Sequence, residues 1–287
     1  MTTAPDISIA LLTRNAGALL ERLLEAVATQ KTTHRVETVA VDSGSTDGTR
    51  ERLERHGARV VTIDPAAFNF GTTRDQVFGL AQGKVIVSLS QDAIPAHPHW
   101  LENLIAPLDE PGVAVSCGRS LFDPQRDDPQ FPWEANGLFY FTREMKTFAQ
   151  RYGRGLSNAN AAYRRDVWGR LRFSSQSIGE DYLFQTKLHA EGLRIAFSQD
   201  APVLHHHNYT LASLWARCRR EGTGLRQLDC PYSFADMAAD LASPRKYMVW
   251  GKSLLLGRLR TPAALLFPVL RPIAVYAGNL IAGDSTS

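Results

Sequence analysis

The chain has 287 residues, of which 44% are hydrophobic and 21% charged, with a formal net charge of +3. Such an apolar chain is not disordered, its 21 Gly and 15 Pro show no low-complexity bias, and its three scattered cysteines, Cys117, Cys218 and Cys230, make neither a disulfide framework nor a zinc knuckle. A reducing compartment suits those thiols, and a dedicated nucleic-acid binder would need a much larger basic excess.

The opening Met1–Asp6 runs straight into Ile7–Leu12, an apolar run of strand length, so no secretory leader is expected. Leu19, Leu20, Leu23, Leu24 and Val27 then form one helical stripe. Val36–Val41 is a second strand, ending in the turn-rich Asp42-Ser-Gly-Ser-Thr-Asp-Gly-Thr; Thr46 or Asp47 can cap the next helix, and Gly57 ends it. Arg59–Ile63 is a third strand, Thr72–Ala81 a helix closed by Gly83, Lys84–Ser90 a fourth strand and Trp100–Leu108 a helix. Asp123–Trp133 is polar and Pro-rich and suits a mobile loop, and Leu156–Tyr163 alternates only weakly. Gly179–Gly192 predicts a helix and Leu193–Phe197 a strand; a further helix has Leu211, Leu214, Trp215 and Cys218 on one face.

Alternating strands and helices predict an α/β fold, a mostly parallel sheet flanked by helices. Ligands then bind beyond the carboxyl ends of the strands, at the loops Thr13–Gly17, Asp42–Thr49 and Ser90–Pro95. The charge divides unevenly. Residues 1–210 hold 22 Lys and Arg against 24 Asp and Glu, a net of −2; residues 211–287 hold 10 against 5, a net of +5. We therefore expect a domain over 1–210 and a basic, amphipathic helical extension over 211–287. No run reaches the ~20 uninterrupted apolar residues of a membrane span, and Pro262, Pro268 and Pro272 are expected to break any long helix there. The extension's apolar residues, interleaved with Lys252, Arg258, Arg260 and Arg271, suit either an anionic membrane surface or a core or oligomer interface.

Four groups could carry chemistry. Asp42 ends a buried strand, where it can accept bonds from a ribose or base or simply close its own turn. Asp92, in Ser90-Gln91-Asp92, can hold a divalent cation against a diphosphate. Glu180 and Asp181 open a helix, where the dipole favours acids and a general base could also sit. In the run His205-His206-His207, His205 and His207 point to one face if extended, and imidazoles suit Mn²⁺ better than Mg²⁺. Walker, GxSxG, HExxH and GxGxxG motifs are missing from the sequence.

The ordered motifs ISIALLTRN (7–15), VDSGSTDGT (41–49), FGTTRDQVFGLAQG (70–83), LSQDAIP (89–95), LSNANAAYRRDVW (156–168), GEDYLF (179–184) and VLHHHNYT (203–210) resemble the family-2 inverting glycosyltransferases of GT-A fold, in their rhamnosyltransferase-like branch. The resemblance implies transfer of a sugar, rhamnose from dTDP-rhamnose above others, to a glycan or lipid-linked acceptor. It puts Thr13, Arg14, Asn15, Asp42, Gly71, Arg74, Gln91 and Asp92 on the nucleotide sugar. Asp181 is the implied base, Glu180 its orienting partner, and Asp92, His205 and His207 the ligands of a divalent cation, Mg²⁺ or Mn²⁺. Trp133, Asn158 and Asn160 border the acceptor. Ser90 departs from the family's metal motif, since the first acid of that motif usually stands there. The implied setting is cytoplasmic, with peripheral membrane contact or self-association through the extension. A sugar nucleotidyltransferase and a non-catalytic nucleotide- or glycan-binding module are the alternatives.

Overall fold

The computed structural model describes residues 4–128, 130–135, 143–173, 175, 179–228 and 230–284. The chain divides into two compact units, Met1–Asp123 with Gly155–His205, and Pro124–Arg154 with His206–Ser287.

All the described strands lie in the first unit. They are β1 (Ile7–Thr13), β2 (Val36–Asp42), β3 (Arg59–Thr62), β4 (Val85–Ser90), β5 (Ile94–Pro95), β6 (Val113–Cys117), β7 (Ser120–Leu121), β8 (Asn160–Arg164), β9 (Arg194–Phe197) and β10 (Val203–Leu204). Seven form one sheet in the order β3-β2-β1-β4-β8-β6-β9. The β3-β2-β1-β4 half is parallel, β8 runs antiparallel to both of its neighbours, and β9 is parallel to β6. The mostly parallel sheet flanked by helices is therefore as expected. The inner strands β1, β4 and β6 are buried on both faces, and that is why they read as continuous apolar runs rather than alternating ones, while the edge strands β3 and β9 are partly exposed. The helix Leu19–Ala28 buries Leu20, Leu23 and Leu24, the predicted stripe.

Register fixes the functional edge. Thr13 pairs with Asp42, and Leu12 with Ser90, so β1, β2 and β4 end level and the three candidate loops leave the same edge of the sheet. A second, three-stranded sheet, β5-β10-β7, pairs Leu204 with Ile94 in antiparallel register.

Local differences from the sequence reading have physical reasons. The helix Thr49–Arg55 takes Gly48 as N-cap at φ 81°, while Asp47 one residue earlier accepts from Thr49 N and Oγ1. The next helix begins at Phe70 rather than Thr72, because Asn69 caps it by accepting from the amides of Gly71 and Thr72. Asp123–Trp133, expected as a mobile loop, has both ends buried. Asp123 pairs with Arg22 at 2.8 Å, and Phe131 and Trp133 lie in an apolar core; position 129 is outside the described residues. In the helix Leu211–Gln227 the buried face is Leu214, Cys218, Gly222, Gly224 and Leu225; Leu211 and Trp215 are exposed, contrary to the predicted stripe.

The second unit contains the largest correction. Its prolines do not break the last helix, which runs unbroken from Pro262 to Asp284 with Pro268 and Pro272 inside it. Pro268 has no N–H to give the carbonyl of Ala264, four residues earlier. Trp133 supplies the missing donor, its Nε1 lying 2.8 Å from that oxygen. Trp250 Nε1 donates likewise to Leu265 O at 3.0 Å. Among the described residues Pro262–Ile281 is thus long and apolar enough to cross a membrane, by length and composition only, and half of that stretch is buried within the protein. Trp133→Phe keeps one aromatic ring in the core but shrinks the side chain and leaves a buried carbonyl unpaired, so thermal unfolding should show a loss of at least about 1–3 kcal/mol. An unchanged midpoint would mean that the freed carbonyl finds another donor.

This helix packs against Leu211–Gln227 at two glycines. A Cβ on Gly222 would lie 1.9 Å from Val275 O, and one on Gly278 1.8 Å from Arg219 O. The close approach is fastened by Asn279 Nδ2 to Gly222 O, Thr223 Oγ1 to Gly278 O, and a buried Arg271–Glu221 ion pair, each at 3.1 Å.

Candidate active site

The loops at the sheet edge are stitched to one another. Asp42 is 1% exposed; its Oδ2 accepts from Thr13 Oγ1 at 2.9 Å and from Ser45 Oγ at 2.5 Å, and its Oδ1 from Ser45 N at 2.8 Å. The turn-closing use of Asp42 is therefore realised, with Thr13 as a cross-strand partner. Asn15 takes φ 45°, donates its amide to Ser45 Oγ and accepts from Thr46 N. Gly17 N donates to Asp47, whose carboxyl is held below its usual range chiefly by the Thr49 hydroxyl. Arg14 and Gln91 exchange two bonds, Arg14 N to Gln91 Oε1 at 2.8 Å and Gln91 Nε2 to Arg14 O at 3.2 Å, which tie the loop after β1 to the loop after β4.

Arg74 and Gly71 do not join that group. Gly71 is buried with its amide bonded to Asn69. The Arg74 guanidinium is buried and turned to Glu180, with Nε and Nη2 at 3.3 and 3.2 Å from Oε1, and Nη1 at 2.8 Å from Ser88 Oγ. Asn158 completes this cage by donating to Glu180 Oε1 at 3.0 Å, while its own Oδ1 accepts from the Tyr163 hydroxyl. The sequence singled out all of Arg74, Asn158 and Glu180, but not their mutual contact.

Glu180 is therefore an anchor, and its neighbour Asp181 is the available acid. Both follow Gly179, which starts the helix Glu180–Ala190 at φ 76°. Asp181 is half-buried. Burial first, and the charge of Glu180 second, push its carboxyl up to about 7. A carboxylate near neutrality, fixed by a buried ion pair one residue away, is poised to accept a proton.

Each of the three consecutive histidines meets a different carboxylate. Antiparallel pairing of β10 with β5 carries His205 back to the loop after β4, where its Nε2 lies 3.4 Å from Asp92 Oδ1. His206 lies against Asp128 in the second unit, and His207 Nδ1 lies 3.1 Å from Glu134 Oε1 there. Sequence reasoning missed Glu134; the nearest signal was its place beside Trp133. Trp133 itself is 1% exposed and stacked on Phe267, so it offers no ring face to an acceptor. Asn160 is likewise buried, accepting from Trp100 Nε1 and donating to Ala201 O.

The mostly parallel sheet, with its candidate loops at one carboxyl edge, agrees with the GT-A fold that the sequence resembles. Residues 8–171 match the family model described as glycosyl transferase family 2. The chain is 32% identical over 214 residues to the O-antigen chain rhamnosyltransferase RfbN of Salmonella typhimurium, covering 71% of this chain and 67% of that protein. It is 30% identical over 215 residues to WbaN of Salmonella anatum, described in the same words, covering 72% and 68%. Among solved structures it resembles the mannosyltransferase PcManGT of Pyrobaculum calidifontis, in complex with GDP-Man and Mn²⁺, with a TM-score of 0.66 at 17% identity over 100% of this chain and 89% of that one. It also resembles glucosyl-3-phosphoglycerate synthase of Mycobacterium tuberculosis, in complex with Mn²⁺, UDP-glucose and phosphoglyceric acid, with a TM-score of 0.58 at 25% identity over 80% and 81%. The chain belongs to glycosyl transferase family 2, in its rhamnosyltransferase branch, and the nucleotidyltransferase and non-catalytic alternatives are not favoured.

Proposed function

We propose that the protein transfers rhamnose from dTDP-rhamnose to a hydroxyl of a growing, lipid-linked glycan, with inversion at the anomeric carbon. The observation that carries the mechanism is Asp181, half-exposed and raised to about 7 beside the caged Glu180. Asp181 takes the acceptor hydroxyl proton as that oxygen attacks the anomeric carbon, and the bond to the diphosphate breaks on the opposite side. Glu180, Arg74 and Asn158 hold the helix start that aims Asp181. Thr13, Asn15 and Asp42 hold the nucleoside, and the linked Arg14 and Gln91 shape the phosphate side. The choice of rhamnose rests on likeness to the two Salmonella proteins.

Asp92 and His205 suit a divalent cation, since a hard carboxylate oxygen and an imidazole nitrogen 3.4 Å apart are the donor pair that Mn²⁺ accepts. His207, two residues along the same segment, is proposed as a third ligand. When bound, the cation supplies positive charge against the departing diphosphate. Ser90 gives its amide to Ala159 O and stays outside the proposed ligand set. A nucleotide-sugar donor places the reaction in the cytoplasm. The catalytic body lies within 1–210 and the extension 211–287 has its own task, with Pro124–Arg154 grouping with the extension.

The test is a panel of nucleotide sugars with Mn²⁺ or Mg²⁺ and a lipid-linked glycan acceptor. Release of dTDP with transfer from dTDP-rhamnose is expected, and Asp92→Ala should weaken Mn²⁺ binding, read by calorimetry, by tenfold or more, about 1.4 kcal/mol. Transfer from another donor alone would overturn the choice of rhamnose; no transfer from any donor would overturn the reading as a whole.

A further inference from the structure

The outer face of the last helix is unlike that of an ordinary surface helix. Its inner face packs on Leu211–Gln227 through Phe267, Ala274, Val275 and Gly278. Among its described side chains the exposed ones are Pro262, Leu265, Leu266, Val269, Ile273, Leu280 and Ile281, the large apolar ones recurring at helical spacing with no charge among them. A helix with one face in a protein core ordinarily shows polar residues on the other.

The preceding helix, Pro244–Leu255, lies alongside, joined through the Trp250–Leu265 hydrogen bond. It ends in three consecutive exposed leucines, Leu254, Leu255 and Leu256, of which Leu255 is 89% exposed. Around this tip stand Lys252, Arg258 and Arg260, all exposed. Residues 241–283 contain six Lys and Arg and not one Asp or Glu. Two of the six, Lys246 and Arg271, are buried against Asp240 and Glu221, while Lys252, Arg258 and Arg260 are exposed.

We propose that this face docks in the plane of an anionic lipid bilayer, with Leu254–Leu256 and the Leu265–Ile273 stripe entering the headgroup boundary and the basic residues meeting lipid phosphates. Apolar side chains bordered by cations, with no acids, are the pattern of an interfacial helix. A second copy of this chain would bring the same positive rim against itself, so charge favours lipid over self-association. The helix lies on the membrane rather than through it. Crossing would pull Gly222 from Gly278 and strip Arg271 of Glu221, leaving a charge in hydrocarbon. The inference rests on the second unit alone and does not depend on which sugar is transferred.

The test is sedimentation of the full chain with vesicles of phosphatidylcholine alone or mixed with phosphatidylglycerol, without donor or acceptor. Binding to the phosphatidylglycerol vesicles, weakened by salt, is expected. The double variant Leu255→Glu/Leu266→Glu should bind about tenfold more weakly or worse, because two exposed leucines lose their lipid contact. Lys252→Glu/Arg258→Glu should lose the preference for phosphatidylglycerol. Both variants alter exposed residues, so unchanged thermal unfolding and unchanged dTDP binding should accompany the loss. Equal binding by wild type and the leucine variant, or no vesicle binding, would overturn the proposal. So would a wild-type dimer in analytical ultracentrifugation that Leu255→Glu dissociates while vesicle binding stays nil.

Discussion

Asp181→Asn should lower kcat by about 10²–10⁴-fold while leaving donor binding near wild type, because the amide fills the same space but cannot take a proton. The wild-type rate should rise with pH through about 7, as the carboxyl that burial and Glu180 hold protonated gives up its proton. Stability moves the other way. An acid whose native pKa lies above its ordinary value of 3.8 keeps its proton in the folded state after the unfolded chain has released it. Folding stability therefore falls as pH climbs from about 4 through about 7 and then levels off. Asp181→Asn removes that loss, so at pH 8 the variant should be more stable than wild type by up to about 2 kcal/mol, allowing for the partial exposure of the carboxyl. Initial rates from pH 5 to 9 and chemical denaturation at pH 5 and 8 check both halves. A variant that is active, or that loses activity only by failing to bind donor, would remove Asp181 from the role of base.

Gly222→Ala, like its counterpart Gly278→Ala, should be among the most damaging single methyl groups in the second unit. Its Cβ would sit 1.9 Å from Val275 O, a backbone atom that no side-chain rotation can move away. The two helices would have to part, loosening the Asn279–Gly222 bond and the Arg271–Glu221 pair together. Overpacking alone reaches about 3 kcal/mol, and a buried charge that loses its partner adds to it. Scanning calorimetry should show the second unit melting roughly 6–12 °C lower. Gly251→Ala is the control, since a Cβ there meets nothing within 4 Å and alanine favours the helix. If both variants melt alike, the crossing yields more readily than its geometry implies.

How much of this was legible in the sequence depended on the range of the signal. The parallel strands were visible because burial on both faces leaves unbroken apolar runs, and their order brought the three loops to one edge. Val113–Cys117 passed unmarked, because five residues buried on every side show no period. Asp181, Asp92 and Asp42 stood out through local motifs. The partnership of Arg74 with Glu180 did not, because it joins residues 106 apart. Trp133's place was hidden for the same reason: the resemblance put it on the acceptor side, while its hydrogen-bond partner lies 131 residues further on. The prolines of the last helix misled in concert with it, since the rule that proline ends a helix fails when another segment supplies the donor.

That indole bond also bears on the order in which the chain matures during synthesis. The segment bearing Trp133 leaves the ribosome 131 residues ahead of its packing partner Ala264, with Phe267 following closely behind that partner. The sheet of the first unit is complete once Phe197 has emerged, whereas this aromatic pair must wait, its apolar surface uncovered, until Ala264 and Phe267 follow. A nascent chain stalled or truncated before residue 262 would therefore present a finished sheet and an orphaned aromatic cluster, the kind of surface that chaperones bind.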